Sequence, residues 1–201
     1  MRVMIVREPW WMFPELLDAK TCDRVIAHGL GLEREEGVVR TGNDGTQRRS
    51  SIAWLSDGWV FDLVQPAVSK ANRAAGWNFN VERMVPLQFG VYAEGGHYDW
   101  HFDDRRGQVY GENDRVAPEF HGLLRKISVS VMLNAGDEYD GGDLEFELGL
   151  PRDRVRIEQP NPKRLRGTMV AFPSFIPHRV TPVTRGVRYS LVGWTCGPPW
   201  R

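Results

Sequence analysis

The sequence predicts a mainly β domain, a sandwich or jelly roll, with helices in its N-terminal part. From about residue 82 onward, short β-rich segments alternate with Gly, Pro, Asp and Asn. Many short strands at this spacing are typical of antiparallel β folds with two packed sheets. We predict eight strands, near residues 84–93, 98–103, 126–134, 143–148, 153–158, 167–172, 178–183 and 187–195.

Two segments in the first 80 residues have the spacing of helices. In Thr21–Leu30 the apolar residues recur at helical intervals, and Gly31 supplies a stop. A second apolar face follows Asp57. Pro66 lies inside this second segment, so it predicts a kink or a break into two helices.

Length and composition favour one neutral domain. The chain has 201 residues, with 26 Lys and Arg against 26 Asp and Glu, so no overall field draws it to nucleic acid or anionic membrane. Two cysteines are too few for a disulfide framework. Apolar runs fall short of a membrane span, and the N-terminus lacks a signal-peptide pattern. We therefore expect a soluble, cytoplasmic protein with no nucleic-acid or membrane partner; the oligomeric state stays open.

Four residues carry a specific chemistry. His101 and Asp103 are two apart, and His178 and Arg188 follow on later predicted strands. Residues i and i+2 of a strand point to the same face, so the first pair can reach one ion. Two imidazoles and a carboxylate are the ligand set of a non-haem iron(II) site with open coordination positions. Arg188 would add a fixed cation able to bind a carboxylated co-substrate.

The long segment between the first two ligands and the central strands is the expected substrate region. Residues 104–124 show no periodicity, and such loops inside compact domains are often lids or binding loops. Arg105 and Arg106 directly follow the ligand pair. They are predicted to steer an acidic or carboxylated substrate.

Three stretches resemble the prolyl 4-hydroxylase-like iron(II)/2-oxoglutarate oxygenases, and most closely their PKHD-type bacterial and phage hydroxylases. LQFGVYAEGGHYDWHFDD resembles the first metal-binding segment of that family. KISVSVMLN with YDGGDLEF resembles its central strands, and GTMVAFPSFIPHRVTPVTRGVRYSLVGW resembles its closing segment. The similarity covers residues 82–196 in the expected order.

This resemblance implies a double-stranded β-helix (jelly roll) flanked by α-helices, as a single domain over residues 1–201. Residues 1–80 would be a helical N-terminal support and residues 82–196 the core. The resemblance also implies that His101, Asp103 and His178 hold iron(II), and that Arg188 and Tyr92 bind the distal carboxylate of 2-oxoglutarate. O2 would be the second co-substrate, and ascorbate would keep the iron reduced.

Further residues are weaker predictions for the same pocket. Thr181 and Ser190 alternate on strands near the ligands and are predicted to line the co-substrate site. Tyr98, three residues before His101, and Trp194, on the last strand, are predicted to contact the primary substrate together with the two loop arginines. The alternative is a structural hydroxyl for Thr181 and Ser190 and core packing for Tyr98 and Trp194. For the loop arginines it is solvated surface charge.

The predicted function is hydroxylation of an unactivated C–H bond, with release of succinate and CO2. The expected substrate is a prolyl or other side chain of a protein or peptide, because the resemblance points to such hydroxylases. A free amino acid or small metabolite is the alternative substrate. A non-catalytic jelly-roll binding module is the alternative of another class, and the intact set of ligands and Arg188 argues against it.

Overall fold

The fold is given by a computed structural model of the chain. It describes residues 8–37, 47–148, 154–156 and 166–200. The described residues contain two α-helices, α1 (Ala19–Gly31) and α2 (Gly58–Ala74), and strands β1 (Trp11–Phe13), β2 (Glu35–Glu36), β3 (Arg48–Arg49), β4 (Ser51–Leu55), β5 (Arg83–Met84), β6 (Leu87–Tyr92), β7 (His97–His101), β8 (Leu124–Met132), β9 (Tyr139–Gly141), β10 (Leu144–Glu147), β11 (Arg154–Arg156), β12 (Met169–Pro173), β13 (His178–Val180), β14 (Val183–Gly186) and β15 (Arg188–Gly197).

The strands form two main antiparallel sheets that fit a jelly-roll core. The larger sheet has the order β1-β12-β8-β15-β6-β4-β2, with β5 also paired to β15. The smaller sheet has the order β11-β10-β13-β7-β3, and β14 pairs with β9 in a two-stranded sheet. Strands distant in the chain thus become neighbours, as between β7 and β13. The predicted mainly β architecture is confirmed.

Both helices pack on one face of the larger sheet. The buried cluster there joins Cys22 and Val25 of α1 and Val60 and Val64 of α2 to apolar residues of β6, β8 and β12. The Asp18 side chain caps α1 by accepting a hydrogen bond from the backbone N–H of Thr21 at 2.7 Å, which satisfies one of the open donors of the first turn. Burial of this apolar stripe holds the helices against the sheet.

The second helix differs from its prediction in one respect. Pro66 lies inside α2, but the helix runs from Gly58 to Ala74 without breaking into two. The alternative of a break was therefore wrong. Ala67, Val68 and Ala71 follow the proline and are buried in the core cluster. This packing offsets the backbone hydrogen bond that Pro66 cannot donate.

The N-terminal part contributes strands as well as helices. β1, β2 and β4 all belong to the larger sheet and pair, directly or in series, with strands from beyond residue 82. The core cluster likewise spans both parts of the chain. Each of the eight predicted strand segments contains or overlaps an observed strand, although the segment predicted over 178–183 ends at Val180 and a new strand starts at Val183. Pro182 lies in this interruption, where its missing N–H breaks no ladder.

The segment 104–124 folds over one end of the sheets. It contains two short 3-10 turns, Arg105–Gly107 and Pro118–Phe120. Tyr110, Phe120 and Leu123 are buried in a cluster with Trp194 and other residues. The loop is thus packed onto the last strand rather than extended into solvent.

Both cysteines, Cys22 and Cys196, are buried free thiols.

In the part of the chain that the structure describes, neither helix combines the length and the apolar character that crossing a membrane requires.

Candidate active site

Strand pairing brings the three predicted ligands together. His178 of β13 lies directly opposite His101 of β7 in the antiparallel register. Asp103 follows β7 after its last residue, and its backbone N–H donates to the carbonyl of Ser174 at 2.9 Å. Ligand atoms of His101, Asp103 and His178 all lie within 4.8 Å of one another. The three side chains thus form one cluster.

The two imidazoles are oriented by backbone carbonyls. His101 Nδ1 lies 2.7 Å from the carbonyl oxygen of Asp99, and His178 Nδ1 lies 2.9 Å from that of Ile176. A carbonyl only accepts, so Nδ1 carries the proton and each Nε2 keeps its lone pair. The Nε2 atoms face the carboxylate, at 3.7 Å from Asp103 Oδ1 for His101 and 3.4 Å from Oδ2 for His178. This is the tautomer that binds a metal through Nε2.

The electrostatics of the cluster favour metal-binding protonation states. Burial of His101, and then the neighbouring His178, lowers the pKa of His101 to about 3, so its imidazole is neutral near pH 7. Burial alone would raise the pKa of Asp103, but His178, His101 and Arg125 together hold that pKa well below its usual range. A neutral imidazole and an ionised carboxylate are the forms that coordinate a cation. The donor set therefore fits a divalent metal such as iron(II).

Arg188 and Tyr92 form a second polar group in the same pocket. They are directly opposite each other in the pairing of β15 with β6, and the Arg188 guanidinium carbon lies 5.3 Å from the Tyr92 ring centroid. Arg188 is 2% exposed. Among the described residues it has no carboxylate partner, and a buried cation without one is a site for an anionic ligand. This observation fits a dicarboxylic acid bound between the metal cluster and Arg188.

Two predicted co-substrate residues have different surroundings. Ser190 is fully buried two residues after Arg188, and its Oγ has no hydrogen-bond partner among the described residues. Thr181 lies in the interruption after β13, and its Oγ1 accepts from the backbone N–H of Asp143 at 2.8 Å. The structure places Ser190 on the same face of β15 as Arg188 by strand alternation, but Ser190 is not among the residues that line the pocket. The structure does not bring Thr181 to the pocket wall, because the strand that was expected to carry it has already ended.

The cluster and Arg188 line one pocket, with a volume of about 420 Å³ including its open mouth. Tyr98 and Trp194, both predicted to contact substrate, belong to its wall. The Tyr98 ring stacks on the His101 imidazole, with centroids 3.5 Å apart and planes at 9°. Burial of the Tyr98 phenol, the largest influence on it, raises its pKa to about 12, so it remains a protonated donor.

The loop arginines do not line this pocket. Arg105 forms an ion pair with Asp114 at 3.0 Å and lies over the Tyr110 ring, so its charge is used within the loop. Arg106 is exposed on the adjacent turn. Both have positive φ angles, 55° and 58°. Arg105 and Arg106 were expected near the site only because they closely follow Asp103 in the sequence.

Two arginines and a glutamine at the pocket were not predicted as site residues. Arg48 and Gln88 belong to the wall, and Arg48 Nη2 donates to Gln88 Oε1 at 2.8 Å. Arg125 lies 4.0 Å from Asp103 Oδ1 through Nη1, and 3.9 Å above the Trp194 ring. A register shift between Thr195 and Cys196, opposite Ile127 and Arg125, alters the alternation of β8 at this point. The sequence does not reveal that shift. The only sequence signal for Arg125 was that an arginine stands at the start of a buried strand.

Comparison with known proteins matches this geometry. Residues 87–196 match the family model described as the 2OG-Fe(II) oxygenase superfamily, which is more than half of the chain. The chain belongs to the 2OG-Fe(II) oxygenase superfamily. The resemblance read from the sequence is thereby confirmed. This is a family of oxygenase enzymes that use iron(II), 2-oxoglutarate and O2, and the cluster of His101, Asp103 and His178 fits its metal requirement.

Curated relatives share the catalytic part of the chain. A PKHD-type hydroxylase of Teredinibacter turnerae is 34% identical over 113 residues, covering 56% of this chain and 43% of the relative. The PKHD-type hydroxylase PiuC of Pseudomonas aeruginosa is 31% identical over 113 residues, covering 56% and 44%. The chain thus spans less than half the length of the curated relatives it matches.

Solved structures are similar over nearly the whole chain. A Pseudomonas putida prolyl-4-hydroxylase has a TM-score of 0.61 at 25% identity, covering 93% of this chain and 91% of its own. A prolyl hydroxylase from Trichoplax adhaerens, solved with a hypoxia inducible factor peptide fragment, has a TM-score of 0.69 at 18% identity, covering 93% and 83%. The viral collagen prolyl hydroxylase of Paramecium bursaria Chlorella virus-1, solved with 2OG, has a TM-score of 0.63 at 17% identity, covering 94% and 97%. At these identities the last two show the fold.

Proposed function

We propose that this chain hydroxylates an unactivated C–H bond with iron(II), 2-oxoglutarate and O2, releasing succinate and CO2. The observation that carries the proposal is one pocket that contains both a buried His-Asp-His cluster and a buried arginine without a carboxylate partner among the described residues. A metal-binding module needs only the cluster. The arginine gives the pocket a second, carboxylate-binding end.

In this proposal, His101, Asp103 and His178 hold iron(II) through Nε2, a carboxylate oxygen and Nε2. Such a set leaves coordination positions open for the co-substrates. When bound, iron(II) would activate O2, the oxidant of the reaction; 2-oxoglutarate would be oxidised to succinate and CO2, so that one oxygen atom goes to succinate and the other to the hydroxylated carbon. The backbone carbonyls of Asp99 and Ile176 keep both imidazoles in the ligating tautomer.

Arg188 and Tyr92 orient the co-substrate. The guanidinium offers two parallel N–H donors that match a carboxylate, and the phenol of Tyr92 is a suitable further donor. Burial makes this contact strong, because little water competes for the charge. Ser190 Oγ, buried without a hydrogen-bond partner among the described residues, would be an additional donor for the same carboxylate. Thr181 has no part in this proposal.

The proposed substrate is a prolyl or other side chain of a protein or peptide, supported by the similarity to the Pseudomonas putida prolyl-4-hydroxylase. A free amino acid or small metabolite is the second candidate, and it is favoured by the packing of the 104–124 loop onto Trp194. Ascorbate dependence stays a prediction.

The test is removal of single ligands. We expect Asp103→Ala and His178→Ala to lose bound iron and to abolish succinate release from 2-oxoglutarate. His121→Ala is the matched control, because this histidine lies in the 104–124 loop and does not line the pocket. Iron content by metal analysis and succinate release are measured on each variant. Undiminished turnover in either variant would contradict the assignment of these residues as iron ligands.

A further inference from the structure

One cation of the pocket has no task in the proposed iron and co-substrate sites. Arg48 lies on β3 at the edge of the smaller sheet, directly opposite Tyr98 in the pairing with β7. It lines the same pocket as the His-Asp-His cluster and Arg188. Arg48 was not among the predicted site residues, so its position in the pocket wall is a finding of the fold.

Neutral groups hold the Arg48 side chain in place. Its Nη2 donates to Gln88 Oε1 at 2.8 Å, and its Nε donates to Ser50 Oγ at 2.8 Å. Its guanidinium carbon lies 4.6 Å from the centroid of the Tyr98 ring. Within the part of the chain that the structure describes, no carboxylate pairs with it. Arg48 is therefore fixed in direction, and no carboxylate of the described residues offsets its charge.

The position of Arg48 is close to the reacting end of the pocket. The Tyr98 ring, which the guanidinium contacts, is itself stacked on the imidazole of His101 at 3.5 Å. The Tyr98 ring thus contacts both His101, a proposed metal ligand, and Arg48. An anionic group bound at Arg48 would lie at the His101 side of the pocket, away from the β15 position occupied by Arg188.

Charge balance points to the nature of that group. The ionised side chains among the described lining residues are Arg48, Arg188 and Asp103, which leaves one net positive charge. Iron(II) and the dianion of 2-oxoglutarate cancel each other, so the loaded pocket keeps this positive charge. A buried or half-buried charge is costly unless it is paired. Arg125, which lies 4.0 Å from Asp103 outside the lining, adds a further positive charge, so an anion supplied by the substrate would pair with Arg48 without overcharging the pocket.

Apart from Ser130, Gln88 and the two tyrosines, the rest of the described wall is apolar. Leu144, Phe172, Val180 and Val192 line the pocket together with Trp194. Such a surface takes up a hydrocarbon body and leaves few places for a second polar group. The wall therefore fits a substrate with one anionic end and an apolar part.

We propose that Arg48 selects a primary substrate that carries a carboxylate near the carbon to be hydroxylated. The planar fork of the guanidinium matches a carboxylate in two parallel hydrogen bonds. This inference rests on the proposed function, because it assigns the remaining cation after iron and 2-oxoglutarate are placed. The carboxylate has two sources with the same chemistry, the α-carboxylate of a small molecule or an acidic residue next to the target in a peptide.

The experiment compares matched probes that differ only in this charge. The anaerobic iron(II)–2-oxoglutarate complex is titrated while its visible charge-transfer band is followed. The small-molecule arm uses N-acetyl-L-proline and its primary amide. The peptide arm uses an acetylated, amidated tetrapeptide with glutamate after proline, and the same peptide with glutamine. We expect the anionic member of at least one pair to bind about ten- to a hundredfold more tightly, the range of a charge-assisted hydrogen bond.

Variants then assign the preference to one side chain. Arg48→Gln should abolish the difference between the anionic and neutral probes, whereas Arg48→Lys, which keeps the charge, should retain part of it. Arg49→Gln is the control, because it makes the same charge change at the next, exposed residue of the strand. Its preference should equal that of the parent protein.

Failure of the inference can be told apart from failure of the proposed function. Formation of the charge-transfer band without any probe tests the proposed function alone. Where the band forms, the inference is overturned if neither anionic probe binds more tightly than its neutral partner, or if the preference survives in Arg48→Gln. It is also overturned if Arg48→Gln weakens 2-oxoglutarate instead, since Arg48 would then serve the co-substrate.

Discussion

Arg125 lies behind Asp103, with Nη1 4.0 Å from the carboxylate Oδ1. Its Nε donates to the phenol oxygen of Tyr110 at 2.7 Å, and its guanidinium stacks on Trp194. One side chain thus connects the central carboxylate of the cluster to the 104–124 loop and to the last strand. In the metal-free protein it supplies a positive charge to Asp103, which is 5% exposed.

We expect Arg125 and the metal to compete for the charge of Asp103. Arg125→Met should destabilise the metal-free protein by about 1–3 kcal/mol, because it leaves a buried carboxylate with less compensation. Added metal should restore part of that loss, so the stabilisation by metal should be larger in the variant than in the parent protein. Urea unfolding with and without Mn²⁺ measures both quantities. Arg105→Met is the control, since Arg105 pairs with Asp114 instead. A smaller metal effect in Arg125→Met would mean that Arg125 mainly orients the carboxylate.

Arg188 gives a prediction that separates co-substrate binding from metal binding. Arg188→Gln should keep its iron and raise the KM for 2-oxoglutarate by about ten- to a hundredfold, the loss of a charge-assisted hydrogen bond pair. Succinate release at varied 2-oxoglutarate concentration and metal analysis give the two readouts. Arg185→Gln, at an exposed arginine that pairs with Asp140, should change neither. Iron loss with an unchanged KM would contradict the assignment of Arg188.

The main residues of the site could be predicted from sequence, although one part of the reasoning was wrong. His101, His178, Arg188 and Tyr92 lie on strands, and antiparallel pairing brings them together as expected. Asp103, however, lies beyond the end of β7 and is placed by its hydrogen bond to Ser174. Strand alternation therefore does not explain its direction. Where a strand ends depends on its partner, which local sequence does not reveal.

The residues that were missed or misplaced depend on longer-range geometry. Arg48 reaches the pocket because β3 pairs with β7 at the sheet edge, and a short strand of two residues has no periodicity to read. Arg125 depends on the register shift against β15. Thr181 was placed by alternation along a strand that stops at Val180. Registers, bulges and strand ends are determined by the pairing of strands across the whole sheet. Local sequence patterns therefore do not predict the positions of these residues.

Lys126 predicts a pH dependence of stability that is independent of the active site. This lysine is 2% exposed, with Nζ 3.3 Å from the centroid of the Trp200 ring. Burial lowers its pKa from 10.5 to about 8, and the ring face offsets only part of that burial. Between these two values the unfolded chain binds more protons at this site than the folded one. The Lys126 contribution to the free energy of unfolding should therefore rise as the pH increases from about 8 toward 10.5.

The measurement compares the parent protein with Lys126→Met, which keeps an unbranched apolar stem. Urea unfolding at several pH values from 7 to about 10 gives the difference in unfolding free energy between the two proteins. That difference should shift in favour of the parent protein as the pH rises, because groups titrating elsewhere cancel. A difference that stays constant over this window would show that the lysine keeps an ordinary pKa in the fold.

Gly142 lies in a turn that contacts Arg188, the arginine proposed to bind the co-substrate. It has a φ of +63°, and a Cβ built on it would lie 2.8 Å from Arg188 Cδ and 3.0 Å from Val183 Cγ2. Gly142→Ala should therefore cost about 1–2 kcal/mol for the left-handed backbone and also displace the Arg188 side chain. We expect the KM for 2-oxoglutarate to rise while iron content is kept, and we measure both together with urea unfolding. Gly107→Ala is the matched control, because Gly107 has a φ of +77° with nothing within 4 Å of its added Cβ. It should lose similar stability with an unchanged KM, and equal KM values in the two variants would show that Arg188 tolerates the extra methyl group.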